Sequence, residues 1–285
     1  MILGLVGSEM CIRDRAWAVK AISAGTMTSN DHIAAVTHTD GPEGINKNGH
    51  GEVFDVDSQM RLSATFESHL SGDPRLSVLF APGSSNSVIV GMPNGSTSDT
   101  YVGTDGVSVP GVTDRHVYAQ THSALKGKDV PMVFQTYAEV EFLKAEAAIR
   151  GWISSSAKEH YDKGVTAAMK MLKQLYPAST AITDAEISAY LAGPGAYDAS
   201  KGWEMAMNEY WKATFLNEYE AYANWRRTGY PTLTPTKHPN SVSNNQIFRR
   251  MIYPGGESAT NGDNYAAAVA RQGADDFTTR MWWDK

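Results

Sequence analysis

Two textures alternate along the chain. Between residues 136 and 230 apolar side chains recur at the three- and four-residue spacing of helices that bury one face. Thr136 to Arg150 carries Val140, Leu143 and Ala147 in line and stops at Gly151, so it predicts an amphipathic helix with a glycine after its end. Ser154 to Ser156 offer caps for a second helix with Tyr161, Val165, Ala168 and Leu172 on one face, broken by Pro177. Two helices joined so closely are expected to pack as an antiparallel hairpin. Thr183 and Glu186 have capping-box spacing and start a short third helix that ends near Gly193-Pro194. From about Ser200 to Arg227 one long helix is predicted, with Trp203, Met207, Tyr210, Trp211, Thr214 and Tyr222 along it and Gly229 and Pro231 closing it.

Residues 16 to 135 read mostly as loops. Gly41-Pro-Glu-Gly44, Pro82-Gly-Ser-Ser-Asn86 and Met92-Pro-Asn-Gly-Ser96 are turn sequences. One helix is predicted among them, capped by Asp57 or Ser58, with Met60 or Leu62, Phe66 and Leu70 on its core face and Asp73-Pro74 at its end. Val88 to Val90 and Tyr101-Val102 are expected to pair as a small hairpin through Asn94-Gly95. After Pro231 turns return, and Ile252, Tyr253, Trp282 and Trp283 are expected to fold this tail back onto the helices. The fold class is therefore mainly α, with few short strands and no internal repeat visible in sequence.

Composition narrows the function. The 285 residues, 42% hydrophobic and 20% charged, suit a globular domain, and a formal charge of -6 with pI near 5.7 gives no footprint for a nucleic-acid backbone. No apolar stretch approaches the roughly 18 to 20 residues of a membrane span. Met1 to Gly7 lacks the parts of a secretory signal, and Gly4 to Arg15 is similar to a translated sequencing adapter, so residues 1–15 are set aside as an artefact. The single cysteine, Cys11, falls within them, which leaves residues 16 to 285 without disulfide, thiolate metal site or cysteine nucleophile.

The eight histidines, at 32, 38, 50, 69, 116, 122, 160 and 238, form no His-Glu-x-x-His pair. No Gly-x-Ser-x-Gly elbow and no phosphate-binding or dinucleotide glycine motif occurs, so neither catalytic residue nor cofactor is assigned. Glycoside hydrolysis would require two flanking carboxylates, for which Glu139, Glu141 and Glu146, then Glu218 and Glu220, are the candidates. Solvated or ion-paired structural roles are expected for them instead, including a surface pair between Glu146 and Arg150. Asp40, Glu43, Asn46, Asn48 and Glu52 crowd a glycine-rich loop without the spacing of a calcium loop, so no metal is assigned. Tyr101 and Tyr118, with His116, are the loop aromatics singled out as ligand contacts.

Three segments together resemble the SusD/RagB-like family, in its starch-binding, outer-membrane-associated branch. The first is Phe134-Gln-Thr-Tyr137-Ala-Glu139-Val to Glu146 and Gly151. The second runs from Tyr210-Trp211 through Glu220-Ala-Tyr-Ala-Asn-Trp225-Arg226-Arg227-Thr-Gly229-Tyr-Pro231. The third is Arg249-Arg-Met-Ile-Tyr253-Pro254 followed by Glu257, Asn261, Asn264-Tyr265 and Trp282-Trp-Asp284. The resemblance implies a tetratricopeptide-like scaffold of helical hairpins carrying a loop-rich part. It also implies that residues 16–285 are the C-terminal part of one such domain, loop-rich to 135, helical from 136 to 230 and irregular from 231. The family's function implies a surface-facing nutrient-binding lipoprotein, not an enzyme. Such a protein delivers an oligosaccharide or other small nutrient to a SusC-like, TonB-dependent outer-membrane transporter and is anchored by a lipidated cysteine upstream of this sequence. The shared motifs read as scaffold and carry no ligand residue with them. A helical carbohydrate-active hydrolase and a scaffold that binds only protein are the competing readings.

Overall fold

The computed structural model describes residues 12–41, 46–56, 60–95, 115–238, 240–281 and 284. Among them the chain forms α1 (Ile12–Ala24), β1 (Ala34–Val36), α2 (Gly49–Val56), α3 (Ala64–His69), α4 (Arg75–Leu79), β2 (Phe80–Ala81), β3 (Gln120–Thr121) and β4 (Met132–Gln135). It continues with α5 (Tyr137–Ile149), α6 (Ala157–Leu175), α7 (Asp184–Ala192), α8 (Gly202–Ala213), α9 (Glu218–Thr228), α10 (Glu257–Thr260) and α11 (Gly262–Gln272). The molecule is mainly helical, as its periodicity predicts, although α1 takes in part of the segment set aside as an artefact.

The α5–α6 hairpin forms at the predicted positions because its boundaries are written locally. Thr136 Oγ1 accepts from Glu139 N–H while the Glu139 carboxylate accepts from Thr136 N–H, a complete capping box. At the other end Gly151 takes φ of 67°, and the bonds Gly151 N–H to Ala148 O and Trp152 N–H to Ala147 O close the helix. Ser156 caps α6, and Thr183 with Glu186 forms a second complete capping box on α7. α8 packs across both members of the hairpin, and the core between them holds Phe142, Ala145, Tyr161, Val165, Ala168, Met207 and Tyr210.

The loop-rich half belongs to the same core, through Leu62, Phe66, Leu70, Leu79, Phe80 and Leu125. Its antiparallel strand pairs join distant segments: Ala34 faces Gln135 and Val36 faces Met132 in one, Phe80 faces Thr121 in the other.

Four expectations change. The long helix from 200 to 227 is two helices, broken where Leu216 takes φ of 67° and Asn217 caps α9. Phe215, at the break, stacks on Phe66 at 5.5 Å and meets Phe80 edge-on, so the break seats an aromatic among residues of the other half. The helix expected from Asp57 or Ser58, which lie outside the described residues, begins later, where Ser63 caps α3; Pro74 then opens α4. Residues 88 to 90 form no strand; Val90 O instead accepts from Ala119 N–H, and Met92 bonds Leu62 and Ala64. Tyr101-Val102 lies outside the described residues. Finally the tail contains α10 and α11, and Ile252 stays 42% exposed because the tail is held by polar and ring contacts. Tyr222 Oη donates to Phe248 O at 2.8 Å, Arg226 Nη1 to Arg249 O at 3.0 Å, and the Arg249 guanidinium lies 4.4 Å over Trp225.

Candidate functional site

The loop face is built from residues 60–95 and 115–122 laid against α3, α8 and their core. Gly91 passes so close to Ser63 and Ala64 that a Cβ there would meet backbone at 2.7 Å. Glu67 accepts from Gly91 N–H at 2.7 Å, and Asn94 Nδ2 donates to Thr65 Oγ1 at 3.0 Å. Asn86 donates to Val117 O and accepts from the N–H groups of Ser87 and Val88, which ties the first loop to the segment after residue 114. On this frame stand the Arg61 guanidinium, 3.5 Å from His116 Nδ1, and the exposed side chains of Met60 and Val88. Guanidinium, imidazole and amide groups beside apolar surface suit a ligand with hydroxyls on its edge and an apolar face.

Of the residues singled out in sequence, His116 is partly exposed on this face. Tyr118 is fully buried, so its ring offers no surface to a ligand here, and Tyr101 lies outside the described residues.

Four of the five candidate carboxylates, Glu139, Glu146, Glu218 and Glu220, are placed in scaffold contacts. Glu139 is buried, with its cap at one oxygen and Tyr210 Oη 3.4 Å from the other. Tyr210 donates its single proton to Glu220 Oε1 at 2.6 Å, so a bond between Tyr210 and Glu139 requires a proton on Glu139. Burial pushes Glu139 up to about 7, against the pull of its Thr136 bonds. Glu146 receives Arg227 through both oxygens at 2.6 and 2.8 Å and Arg150 Nε at 3.0 Å. The expected surface pair of Glu146 with Arg150 is thus one side of a partly buried three-residue clamp joining α5 to α9. Glu218 bonds His50 at 3.1 Å, linking α9 to α2. Among the described residues no group of three or more His, Cys, Asp or Glu is disposed to hold a metal. Asn48 instead is buried, donating to Val130 O and capping the N–H groups of His50 and Gly51.

Four further signature residues lie in ring contacts or at a helix end. Trp211 meets Phe66 edge-on at 4.8 Å, Trp225 is buried beneath Arg249, Arg226 lies 4.4 Å over Tyr222, and Gly229 takes φ of 77° to end α9. Tyr253 N–H donates to Asp275, and Pro254 follows it in the exposed turn before α10. Trp282 lies outside the described residues.

Two features escaped the sequence. One is a fully buried charge cluster in which Arg75 bonds Asp73 and, at 2.6 Å, Glu209, while Lys212 reaches Glu209 at 2.8 Å and Tyr190 Oη donates to Glu209 at 2.7 Å. The Asp73-Pro-Arg75 run and the Glu209-x-x-Lys212 spacing are visible, but their meeting is not. The other is a groove of about 580 Å³ between Thr28–Asp31 and α6, with Tyr137 and the α6 residues Lys163, Lys170 and Gln174 in its lining. It exists because Asn30 Nδ2 donates to Ala167 O across 137 positions of sequence.

Comparison with known proteins places these features in context. The model of the SusD-like family described as starch-binding and associating with the outer membrane matches residues 3–254. A solved chitin-binding protein is similar at 30% identity with a TM-score of 0.81, covering 95% of this chain and 59% of its own. A Bacteroidetes SusD-like protein gives 26% identity and a TM-score of 0.81, covering 96% of this chain and 65% of its own. A chitin-binding SusD homologue from Flavobacterium johnsoniae, at 22% identity, shares the fold with a TM-score of 0.71, covering 96% of this chain and 59% of its own. The chain thus spans about three fifths of the length of the solved relatives it matches. No curated protein matches it.

Proposed function

Because this chain belongs to the SusD-like family of starch-binding proteins associated with the outer membrane, we propose that it captures a glycan on its loop face and delivers it to a TonB-dependent transporter of SusC type. The likeness to a chitin-binding protein over nearly the whole chain carries this reading, and it favours a β-linked amino-sugar oligosaccharide as ligand. The face around Arg61, His116, Asn86 and Asn94 supports it, since amide, imidazole and guanidinium donors match the hydroxyl and acetamido groups of such a sugar. Tyr101 is proposed as a ring that stacks on the sugar, with His116 beside it, and Tyr118 as the buried support of the same segment.

Capture is a binding function. Surface exposure would follow from a lipid anchor on a cysteine upstream, and no described helix is long and apolar enough to cross a membrane.

Isothermal titration with chitin-derived and starch-derived oligosaccharides tests the capture step. Saturable binding of one series, weakened in H116A and Y101A, supports the reading; absence of binding to both series overturns it. Pull-down from outer-membrane extract tests delivery, which fails if no TonB-dependent transporter is recovered with the full-length protein.

A further inference from the structure

The turn between α5 and α6 brings together three side chains that neither the scaffold contacts nor glycan capture uses. His160 Nδ1 lies 2.6 Å from Glu141 Oε2, and His160 Nε2 lies 2.8 Å from Ser155 Oγ. Glu141 is buried, His160 partly buried and Ser155 exposed, so the set runs from the core outward and ends with the hydroxyl in solvent. We propose that Ser155, His160 and Glu141 act as nucleophile, base and positioning carboxylate in the hydrolysis of small, accessible carboxylic esters.

The order of contacts is the one the chemistry requires: the nucleophile on one ring nitrogen, the orienting carboxylate on the other. Glu141 accepts the Nδ1 proton, which leaves Nε2 with its lone pair toward Ser155. Burial pushes the Glu141 carboxyl up, but its bonds to His160 and to Lys144, at 2.9 Å, outweigh this and hold it below its ordinary value, hence ionised. α6 begins at Ala157, immediately beyond the nucleophile and its neighbour. Ser156 Oγ serves Glu159 N–H, while the N–H groups of Ala157 and Lys158 have no acceptor within the helix and lie at its positive end. They are the donors available to an oxyanion forming beside Ser155.

In the first step Ser155 Oγ bonds to the acyl carbon, His160 Nε2 takes the hydroxyl proton, and the carbonyl π electrons move to oxygen. Collapse breaks the ester C–O bond, and the departing alkoxide takes the proton from Nε2 to leave as alcohol. Water repeats the sequence on the acyl-Ser155, releasing the carboxylic acid and restoring the serine. Ser155 is exposed to solvent, which is why the substrate class is small, accessible esters.

The test is covalent labelling of the full chain with a fluorophosphonate, the adduct being located by peptide mass spectrometry, together with hydrolysis of p-nitrophenyl acetate. The expected adduct is on Ser155 and is absent in S155A, whose exposed position leaves folding intact. H160N should slow labelling about a hundredfold or more. E141Q should slow it as well, and E141D should recover part of the rate, because a carboxylate still faces Nδ1; a merely structural contact would leave the labelling rate unmoved. No adduct on Ser155, or equal labelling rates in H160N and the unaltered protein, overturns the proposal.

Discussion

Buried carboxylates in this protein are stabilised in two opposite ways, and their pH responses have opposite signs. Burial pushes Glu209 up, yet Arg75 and Lys212 outweigh it and hold the carboxyl well below the ordinary range. Its contribution to stability is present above the unfolded value near 4.5 and is lost as pH falls through the lower folded value. Among the described residues Glu139 faces no cation at bonding distance, and burial raises it to about 7. Between roughly pH 4.5 and 7 the folded state then holds a proton that the unfolded state has released, so stability falls as pH rises through that window. Urea titrations at pH 5 and pH 8 should show E139Q gaining relative to the unaltered protein at the higher pH, by about 2 to 3 kcal/mol. Glutamine still accepts the Thr136 N–H, so the cap survives; an unchanged pH dependence would refute the assignment. In the same assay Arg75→Ala should cost about 3 to 5 kcal/mol, because Asp73 and Glu209 would remain buried with only Lys212 to offset them.

At the level of elements, what reads correctly from sequence is what closes within a few residues. The Thr183 capping box, the Ser156 cap and the glycine stops at 151 and 229 form as their spacing predicts, and the Thr136 capping box, which the structure adds, is local in the same way. Thr183→Ala should therefore destabilise the protein by about 1 kcal/mol in chemical unfolding. The break between α8 and α9 obeys a different cause, since Phe215 is seated against Phe66 and Phe80 from the loop-rich half. Nothing near residue 215 states that partnership. Close helix packing behaves likewise: a Cβ on Gly164 would stand 2.6 Å from the Phe142 ring. Gly164→Ala raises helix propensity but overpacks the α5–α6 contact, and a net loss of about 1 to 3 kcal/mol is expected. A stabilised G164A would show that Phe142 yields more readily than its burial implies.

Over the whole molecule, stability is concentrated in α5, α6 and α8 and thins toward the tail. α11 buries no residue, and residues 248 to 253 hold on through arginine–ring and backbone contacts. Amide hydrogen exchange should find α5, α6 and the first half of α8 slowest and α11 fastest, with the tail opening separately from the rest. Equal protection in α11 and α6 would contradict this division. The loop face belongs to the stable part, because Leu62, Phe66 and Ala119 beneath it share the helical core. It is a shaped surface on a rigid support, suited to holding a ligand in one orientation.

Sequence alone determined the helical class, the stop of α5, the caps and stops of α6 and α7, and the motifs that mark the family, because each is carried by residues near one another in the chain. For the proposed site it pointed to the loop-rich half, where His116 is partly exposed and Tyr118 is buried. Arg61 meets His116, Asn86 meets Val117 and Asn94 meets Thr65 only when segments tens of residues apart are folded together. The same is true of the Asp73–Arg75–Glu209–Lys212 cluster, the groove on α6 and the contact of Glu141 with His160. Hydrophobic periodicity records which face of an element is buried, but it carries no address for the partner that buries it, and that pairing is decided by tertiary packing.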